Sequence, residues 1–426
     1  VALLLALAVF FLFSPYDSRE RNRRAREELT SLASTPMEVA VVWPTEAGNM
    51  FVDGVMVAAK EINARGGITI ADENGNPVKV RIEPRAYDEY EYRDPEKVAA
   101  RVVGDVNLSA VIGHSAPDSA IKASITYQDA GLLYLSPAVS DAQLSQHSFW
   151  GCVQTIPSDA EICQAIVTFA LERGWRRAAV LYVRNAYGSS YDRLLREDMG
   201  SLHAQLLSDT NEVTSLSLSF HSHYGEEERS FYLMIAALLR HEFDFVFVAD
   251  SLIGSGARRT LSLISQLREM GVKQPILGTE ELHSGALWTY LDGRANGIFT
   301  PSLLDRRTDK TNPIDREFRL AFRKYHSTPP SMVAAQGYEA VILLSQAAER
   351  ARSKVPIKMA TMFVSTGKWD GLQGEGAYEF SLRGSIQKKR VFMEEMKDGI
   401  FVLPQVPQLC VVYTNGIGTT MTNRGE

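Results

Sequence analysis

From Glu38 onward, short apolar β-branched runs alternate with helical segments of 10–15 residues, and this pattern runs through twice. Glu38-Val-Ala-Val-Val-Trp43 reads as a buried strand. Asp53–Ala64 has helical spacing, and Arg65-Gly66-Gly67 supplies its stop. Asn74-Gly75-Asn76-Pro77 turns between two extended segments, the second being Val78–Pro84. Asp94-Pro95 opens a helix with proline in its first turn. Ala110–Gly113 reads as a strand, Asp118–Ala130 as a helix and Leu132–Ser136 as a strand. The second round starts with the helix that follows Pro157-Ser158-Asp159. It continues through strands at Ala178–Val183, Glu212–Ser219, Phe243–Val248 and Pro275–Gly278, with helices between them. Strands alternating with helices of this length predict parallel sheets covered on both faces. Ile298–Pro301 and helices at Pro313–Tyr325 and Met332–Arg352 follow, the last apolar on nearly every side. Arg390–Met396 and Ile400–Leu403 form a hairpin around Lys397-Asp398-Gly399, and no periodicity is visible from Gln405 onward.

A chain of 426 residues is long enough for two to three domains at about 100–200 residues each. Its formal net charge of −6 argues against a nucleic-acid partner, which recruits a basic face. The N-terminus differs from the rest. Val1–Phe13 is unbroken and apolar but shorter than the ~20 residues of a membrane span. With no small-x-small cleavage site after it, the run reads as an uncleaved hydrophobic anchor helix, the alternative being a signal peptide. Residues 17–35, which include Arg19, Arg21, Arg23, Arg24 and Arg26, read as a polar helical spacer. The three cysteines include no CxxC, so zinc-ribbon and thioredoxin-type chemistry is excluded. Cys152 and Cys163 either pair through a turn at Pro157 or stay as buried free thiols.

Several stretches, in order, resemble the type I periplasmic solute-binding proteins of branched-chain amino acid ABC transporters. They are Ala-Ala-Lys-Glu-Ile-Asn-Ala-Arg-Gly-Gly-Ile at 58–68, Val111–Ser115, Tyr134–Ala138, Asn185–Gly188, Phe243–Val246, Leu277–Glu280, Gly337–Ala340 and the closing Gly374–Leu403. The resemblance covers roughly residues 38–403. It implies two doubly wound α/β lobes joined by hinge strands, with a small polar solute held in an interlobe cleft. It implies no catalysis and no cofactor. The expected division is an anchor or signal segment with spacer at 1–36, lobe 1 at 37–156 and 301–385, lobe 2 at 157–300 and 386–412, and a tail at 413–426. The crossings are expected near Thr155–Ser158, Phe299–Ser302 and Gly384–Gln387. The implied setting is the periplasm or another extracytoplasmic face, tethered to the inner membrane. The implied partners are a small-molecule ligand and an ABC permease or other membrane partner. A membrane-tethered sensing or interaction module of the same fold is the second reading.

Ligands of open parallel sheets bind beyond the carboxyl ends of the strands. Five such ends carry small or polar residues, and with the resemblance they make the candidate set Trp43, His114, Ser115, Ser119, Ala138, Ser140, Tyr187, Asp250, Ser251 and Glu280. In the family, the first-lobe loops clamp a ligand carboxylate with hydroxyls and helix N–H groups. The matched second-lobe acid, Glu280, takes the ammonium, and Tyr187 is the matched aromatic. Ala116-Pro117-Asp118 departs from the family's serine-rich loop. Proline donates no N–H, and Asp118 is expected to cap the helix. Asp118, Asp250 and Glu280 suit a cationic or polyhydroxylated ligand at least as well as an amino acid. Each residue also has a plainer reading: Glu280 an exposed helix acid, Tyr187 a packing residue, Trp43 core, His114 hydrogen-bonded structure. His221-x-His223 reads as a solvated loop and no metal site. Gly113-His114-Ser115-Ala116-Pro117 lacks the second glycine of a nucleophile elbow. HExxH, GxxxxGK[ST] and GxGxxG are absent.

Overall fold

The structure, a computed structural model, describes residues 15–45, 50–92, 94–206, 214–220, 228–252, 256–305, 312–365, 367–404, 409–414 and 417–422. The apolar run Val1–Phe13, residues 46–48 of the loop after Trp43, and the pair His221 and His223 lie outside the described residues. Among the described residues no helix is long and apolar enough to cross a membrane.

The chain divides into two compact units. Unit 1 is Val1–Ile156 with Asp309–Gln387, and unit 2 is Pro157–Thr308 with Lys388–Glu426. The second passage therefore falls later than Phe299–Ser302. The strand Ile298–Ser302 pairs on both sides within the unit-2 sheet, so the chain leaves that unit only after it.

Unit 1 contains β1 (Met37–Trp43), β2 (Ile68–Ala71), β3 (Pro77–Val80), β4 (Ile82–Asp88), β5 (Leu108–Gly113), β6 (Leu133–Ser136) and β7 (Cys152–Gln154). Its main sheet has the order β4-β1-β5-β6-β7, with every pair parallel. All six residues of β5 are buried, as a central strand covered on both faces must be. The single extended segment expected at Val78–Pro84 is two strands, and the second runs on to Asp88. That extension places Glu89 at the carboxyl end of the sheet. The helix Met332–Ala351 packs along Phe51–Ala64, and its apolar girth is accounted for by burial.

Unit 2 contains β8 (Arg177–Val183), β9 (Thr214–Phe220), β10 (Phe245–Ala249), β11 (Ile276–Gly278) and β12 (Ile298–Ser302). After unit 1 has added the small sheet of β13 (Trp369–Gly371), β14 (Gly374–Phe380) and β15 (Ile386–Gln387), unit 2 closes with β16 (Phe392–Lys397) and β17 (Ile400–Val402). Its sheet order is β17-β16-β12-β11-β10-β8-β9, parallel except where β16 and β17 join antiparallel. The Phe-Val-Phe-Val-Ala run of β10 is wholly buried, each large side chain contributing about 1.5–3 kcal/mol. The helix Asp159–Glu172 starts at a capping box: Ser158 Oγ accepts from the Glu161 N–H, and Glu161 accepts from the Ser158 N–H at 2.8 Å. Beyond Gln405, where no periodicity was visible, β18 (Leu409–Thr414) and β19 (Ile417–Thr422) pair as a hairpin.

One further expectation is corrected, and the two readings of the cysteines are resolved. The Arg-rich segment is a helix at Pro15–Ser31, but it docks on unit 1 through a wholly buried Arg26. The Arg26 guanidinium donates to the carbonyls of Val103 (2.8 Å), Asp105 (3.1 Å) and Ala130. Those carbonyls close the helices Pro95–Gly104 and Pro117–Asp129, so one cation sits at two negative helix ends. Cys152 and Cys163 are both free and buried, one in each unit, and no bridge joins them.

Candidate functional site

In a doubly wound sheet the crevice lies where the strand order reverses. In unit 1 that point is between β1 and β5. Gly113 ends β5 at φ +137°, and a Cβ there would lie 2.1 Å from the Val42 carbonyl oxygen, so the residue must be glycine. His114 follows at φ +42°, a left-handed conformation that costs a side chain about 1–3 kcal/mol. Hydrogen bonds hold it there. His114 Nδ1 lies 3.1 Å from Glu89 Oε1 and Nε2 lies 2.9 Å from the Tyr127 hydroxyl. Ser115 donates to Glu89 Oε2 twice, from its N–H at 2.9 Å and from its hydroxyl at 2.6 Å. Glu89, His114, Ser115 and Tyr127 are all buried. Burial alone would push the Glu89 carboxyl up, but the bonds from His114 and Ser115 outweigh it and hold it below the usual range.

This network engages two of the candidates, and packing engages a third. His114 is tied on both ring nitrogens. Ser115 has both of its donors on Glu89. Trp43 is 1% exposed and stacks on Phe51 at 3.8 Å, which makes it core and no cleft wall. Sequence reading missed Glu89 because the strand before it was ended at Pro84. Ser119 is buried in the first turn of the helix Pro117–Asp129. The N-cap of that helix is Ala116, with no side-chain cap. Asp118 is an exposed first-turn acid, so the expectation that it caps the helix is corrected. Ala138 and Ser140 lie in the segment after β6. The Gln154 side chain shapes that segment by donating to the carbonyls of Val139 (2.7 Å) and Asp141 (3.2 Å).

In unit 2 the order reverses between β8 and β10. Tyr187 stands just beyond β8, before Gly188, where a Cβ would meet the Val183 carbonyl oxygen at 2.1 Å. Its ring packs edge-on to Tyr191 at 5.0 Å, and the Tyr191 hydroxyl donates to Glu280 Oε2 at 2.8 Å. Glu280 is 3% exposed in a short 3-10 turn after β11, and the exposed-acid reading is corrected. Tyr187, Tyr191, Ser251, Glu280 and Glu281 thus gather at one sheet end. Burial pushes the Glu281 carboxyl up to about 8, and the neighbouring Glu280, Asp250 and Asp159 carboxylates add to this while Ser251 offsets it. Burial and then Glu280 also raise Tyr187 and Tyr191 well above the ordinary phenol value, so both stay neutral.

Asp250 does a different job from the one expected of it. Its oxygens accept from Arg259 Nε (2.9 Å) and Nη2 (2.7 Å), from the Thr260 hydroxyl (2.7 Å) and from the Ser251 N–H (2.9 Å). A buried pair with this many bonds shapes the strand end, and removing one partner costs about 3–5 kcal/mol. Tyr191, Glu281 and Asp159 were missed by sequence reading. Tyr191 could have been found from its i+4 spacing to Tyr187 on one helix face. Among the described residues no group of three or more His, Cys, Asp or Glu is placed to hold a metal ion.

The family model described as periplasmic binding protein matches residues 43–385. The leucine-specific-binding protein of Salmonella typhimurium is 25% identical over 347 residues, which is 79% of this chain and 85% of the relative. An ABC transporter substrate-binding protein from Desulfitobacterium hafniense, solved with Leu, superposes with a TM-score of 0.70 at 24% identity, covering 86% of this chain and 99% of that one. A leucine binding protein from Thermotoga maritima gives a TM-score of 0.73 at 17% identity, covering 86% and 97%. The two-unit α/β fold, built on mainly parallel sheets, is thus shared with these solved structures. The chain belongs to the periplasmic binding protein family of type I fold, and it is a binding protein and not an enzyme.

Proposed function

We propose that this chain is the extracytoplasmic substrate-binding component of an ABC-type transporter and takes a small polar solute by the strand-end loops of both units. The observation that carries the reading is the cluster of Tyr187, Tyr191, Glu280 and Glu281 at the switch point of the unit-2 sheet. A buried carboxylate oriented by a tyrosine hydroxyl and bordered by neutral aromatic rings suits an ammonium or other cationic group. Ser119, Ala138 and Ser140 supply small and hydroxyl-bearing positions at the unit-1 ends. Relatives named for leucine and for transporter substrate binding support delivery to a permease. In this reading Val1–Phe13 tethers the chain to the inner membrane. Fractionation that leaves the chain with the membrane supports the tether, and a mature N-terminus near Ser34 rejects it.

The test is a thermal-shift screen of the full chain against amino acids, amides, polyamines and sugars. A true ligand at 100 times its Kd adds about 2.7 kcal/mol to stability. Binding that closes the protein should also contract it in small-angle scattering. A broad panel with no stabilising member and no contraction rejects solute binding.

A further inference from the structure

We propose that His283 is a positioning residue of the unit-2 strand end: it closes the turn that carries Glu280 and, through its bond to Glu394 on β16, fixes where the Glu280 carboxylate stands. The inference rests on the reading of Glu280 as the contact for a solute's cationic group, and it adds the pair that holds this contact in place. Glu280–Leu282 is a single 3-10 turn between β11 and the helix Ala286–Leu291, and its N-cap Thr279 makes no side-chain cap bond. Hydrogen-bond geometry in such a turn is poorer than in an α-helix, so contacts from outside must set it. Leu282 supplies one by sitting wholly buried in the unit-2 core, and the Thr279 hydroxyl supplies another by donating to the Asp250 carbonyl at 3.3 Å. His283 supplies the third. Its N–H donates to the Glu280 carbonyl at 3.0 Å and closes the turn. Its Nε2 lies 2.8 Å from Glu394 Oε2, and its ring stacks on Phe401 at 3.9 Å. One residue thus joins the Glu280 backbone to both β16 and β17.

Stability alone is a weak reason for such a pair. Glu394 is wholly buried and His283 nearly so, while Leu282, Met396 and Phe401 beside them in chain and sheet are apolar. Taking a carboxylate out of water commonly costs as much as its bonds return, and an apolar pair of similar size is often as stable or more so. What the polar pair supplies in addition is direction, because a hydrogen bond has a preferred distance and angle. Glu280 is then held at both ends, its backbone by His283 and its carboxylate by the Tyr191 hydroxyl at 2.8 Å. A charge-assisted hydrogen bond from a ligand weakens steeply when its angle or distance drifts. A turn freed from β16 would present the same acid in the wrong place.

The test replaces the pair by an apolar one, His283→Leu with Glu394→Leu, in the full chain. Isothermal titration with leucine, leucinamide, agmatine and putrescine follows whichever probe binds the wild type most tightly. The urea midpoint should hold or rise, while affinity falls about tenfold, the low end of losing a charge-assisted hydrogen bond. A purely structural pair would move the midpoint and leave the affinity of the folded protein unchanged. If His283 acts through Glu280, the apolar pair lowers affinity no further in a Glu280→Gln background. His283→Gln, whose amide N–H can donate to Glu394, should recover most of the affinity. Should the apolar-pair variant not fold, His283→Phe keeps the stack on Phe401, drops the bond and carries the same expected loss. Wild-type affinity without the pair, or an equal further loss in the Glu280→Gln background, overturns the inference and leaves solute binding standing. Failure of both variants to fold makes the pair a stabilising one and also overturns it. Binding of no probe by the wild type, with none in the broader panel, overturns the solute-binding reading itself.

Discussion

Glu281→Gln should make the unliganded protein more stable, and the gain should depend on pH. The Glu281 carboxyl is pushed from an ordinary value near 4.5 up to about 8, by burial first and by Glu280 second. Between those two values the native state keeps a proton that the unfolded chain has lost. The native state then binds more protons, so stability falls as pH rises from about 4.5 to about 8. At pH 7 the carboxyl has crossed about 2.5 units of that window, which at 1.36 kcal/mol per unit is about 3 kcal/mol. Glutamine keeps the shape and the acceptor that Ser251 can use, but it has no proton to lose. The variant should match wild type near pH 4, exceed it by about 3 kcal/mol at pH 7, and gain no more above pH 8.5. Urea denaturation of both proteins at these three pH values measures the difference directly, and other titrating groups cancel. A stability difference that is flat with pH, or a variant less stable than wild type at pH 8.5, refutes the reasoning.

Asp198, raised to about 6 by burial although the Cys163 thiol offsets part of the rise, follows the same sign. Asp198→Asn should add about 2–3 kcal/mol at pH 7 and little at pH 3.5, measured by urea denaturation. Arg26→Met removes the cation from two helix ends and should cost about 2–4 kcal/mol, and a loss under about 0.5 kcal/mol would contradict its capping role. Cys152, whose thiol burial pushes up to about 12, and Cys163 should stay unreactive to a thiol reagent until the chain is unfolded. A disulfide between them in protein prepared without reductant would contradict the structure.

The fold was legible because its signal is repeated. Buried parallel strands such as Phe245–Ala249 are continuous apolar runs, and a strand–helix alternation that restarts near Pro157 leaves few topologies. The candidate site was legible only in outline. Chain pattern locates strand ends, so Tyr187 and Glu280 could be named, but it does not say which polar groups satisfy one another. The partner of His114 and Ser115 could not be named from the pattern, because Glu89 is 25 and 26 residues away from them along the chain. Asp250 looked like a ligand acid because Arg259, nine residues on, reads as an ordinary helix-surface arginine. Arg26 looked like one of five solvated arginines, since nothing local distinguishes the one whose helix face is covered. In each case the pairing is tertiary, and periodicity carries no record of it.

Glu280, the acid beyond β11, carries the proposed contact with the solute's cationic group. Isothermal titration of the full chain with its tightest-binding amine, in wild type and in Glu280→Gln side by side, tests it most directly. The Tyr191 hydroxyl keeps an acceptor in the variant, so folding should be preserved, and matching urea midpoints would verify that. The loss of one charge-assisted hydrogen bond, about 1.5–3 kcal/mol, predicts a ten- to hundredfold weaker Kd. Equal affinity of the two proteins for the amine would remove Glu280 from the site and contradict the assignment of the unit-2 strand end as the cation seat.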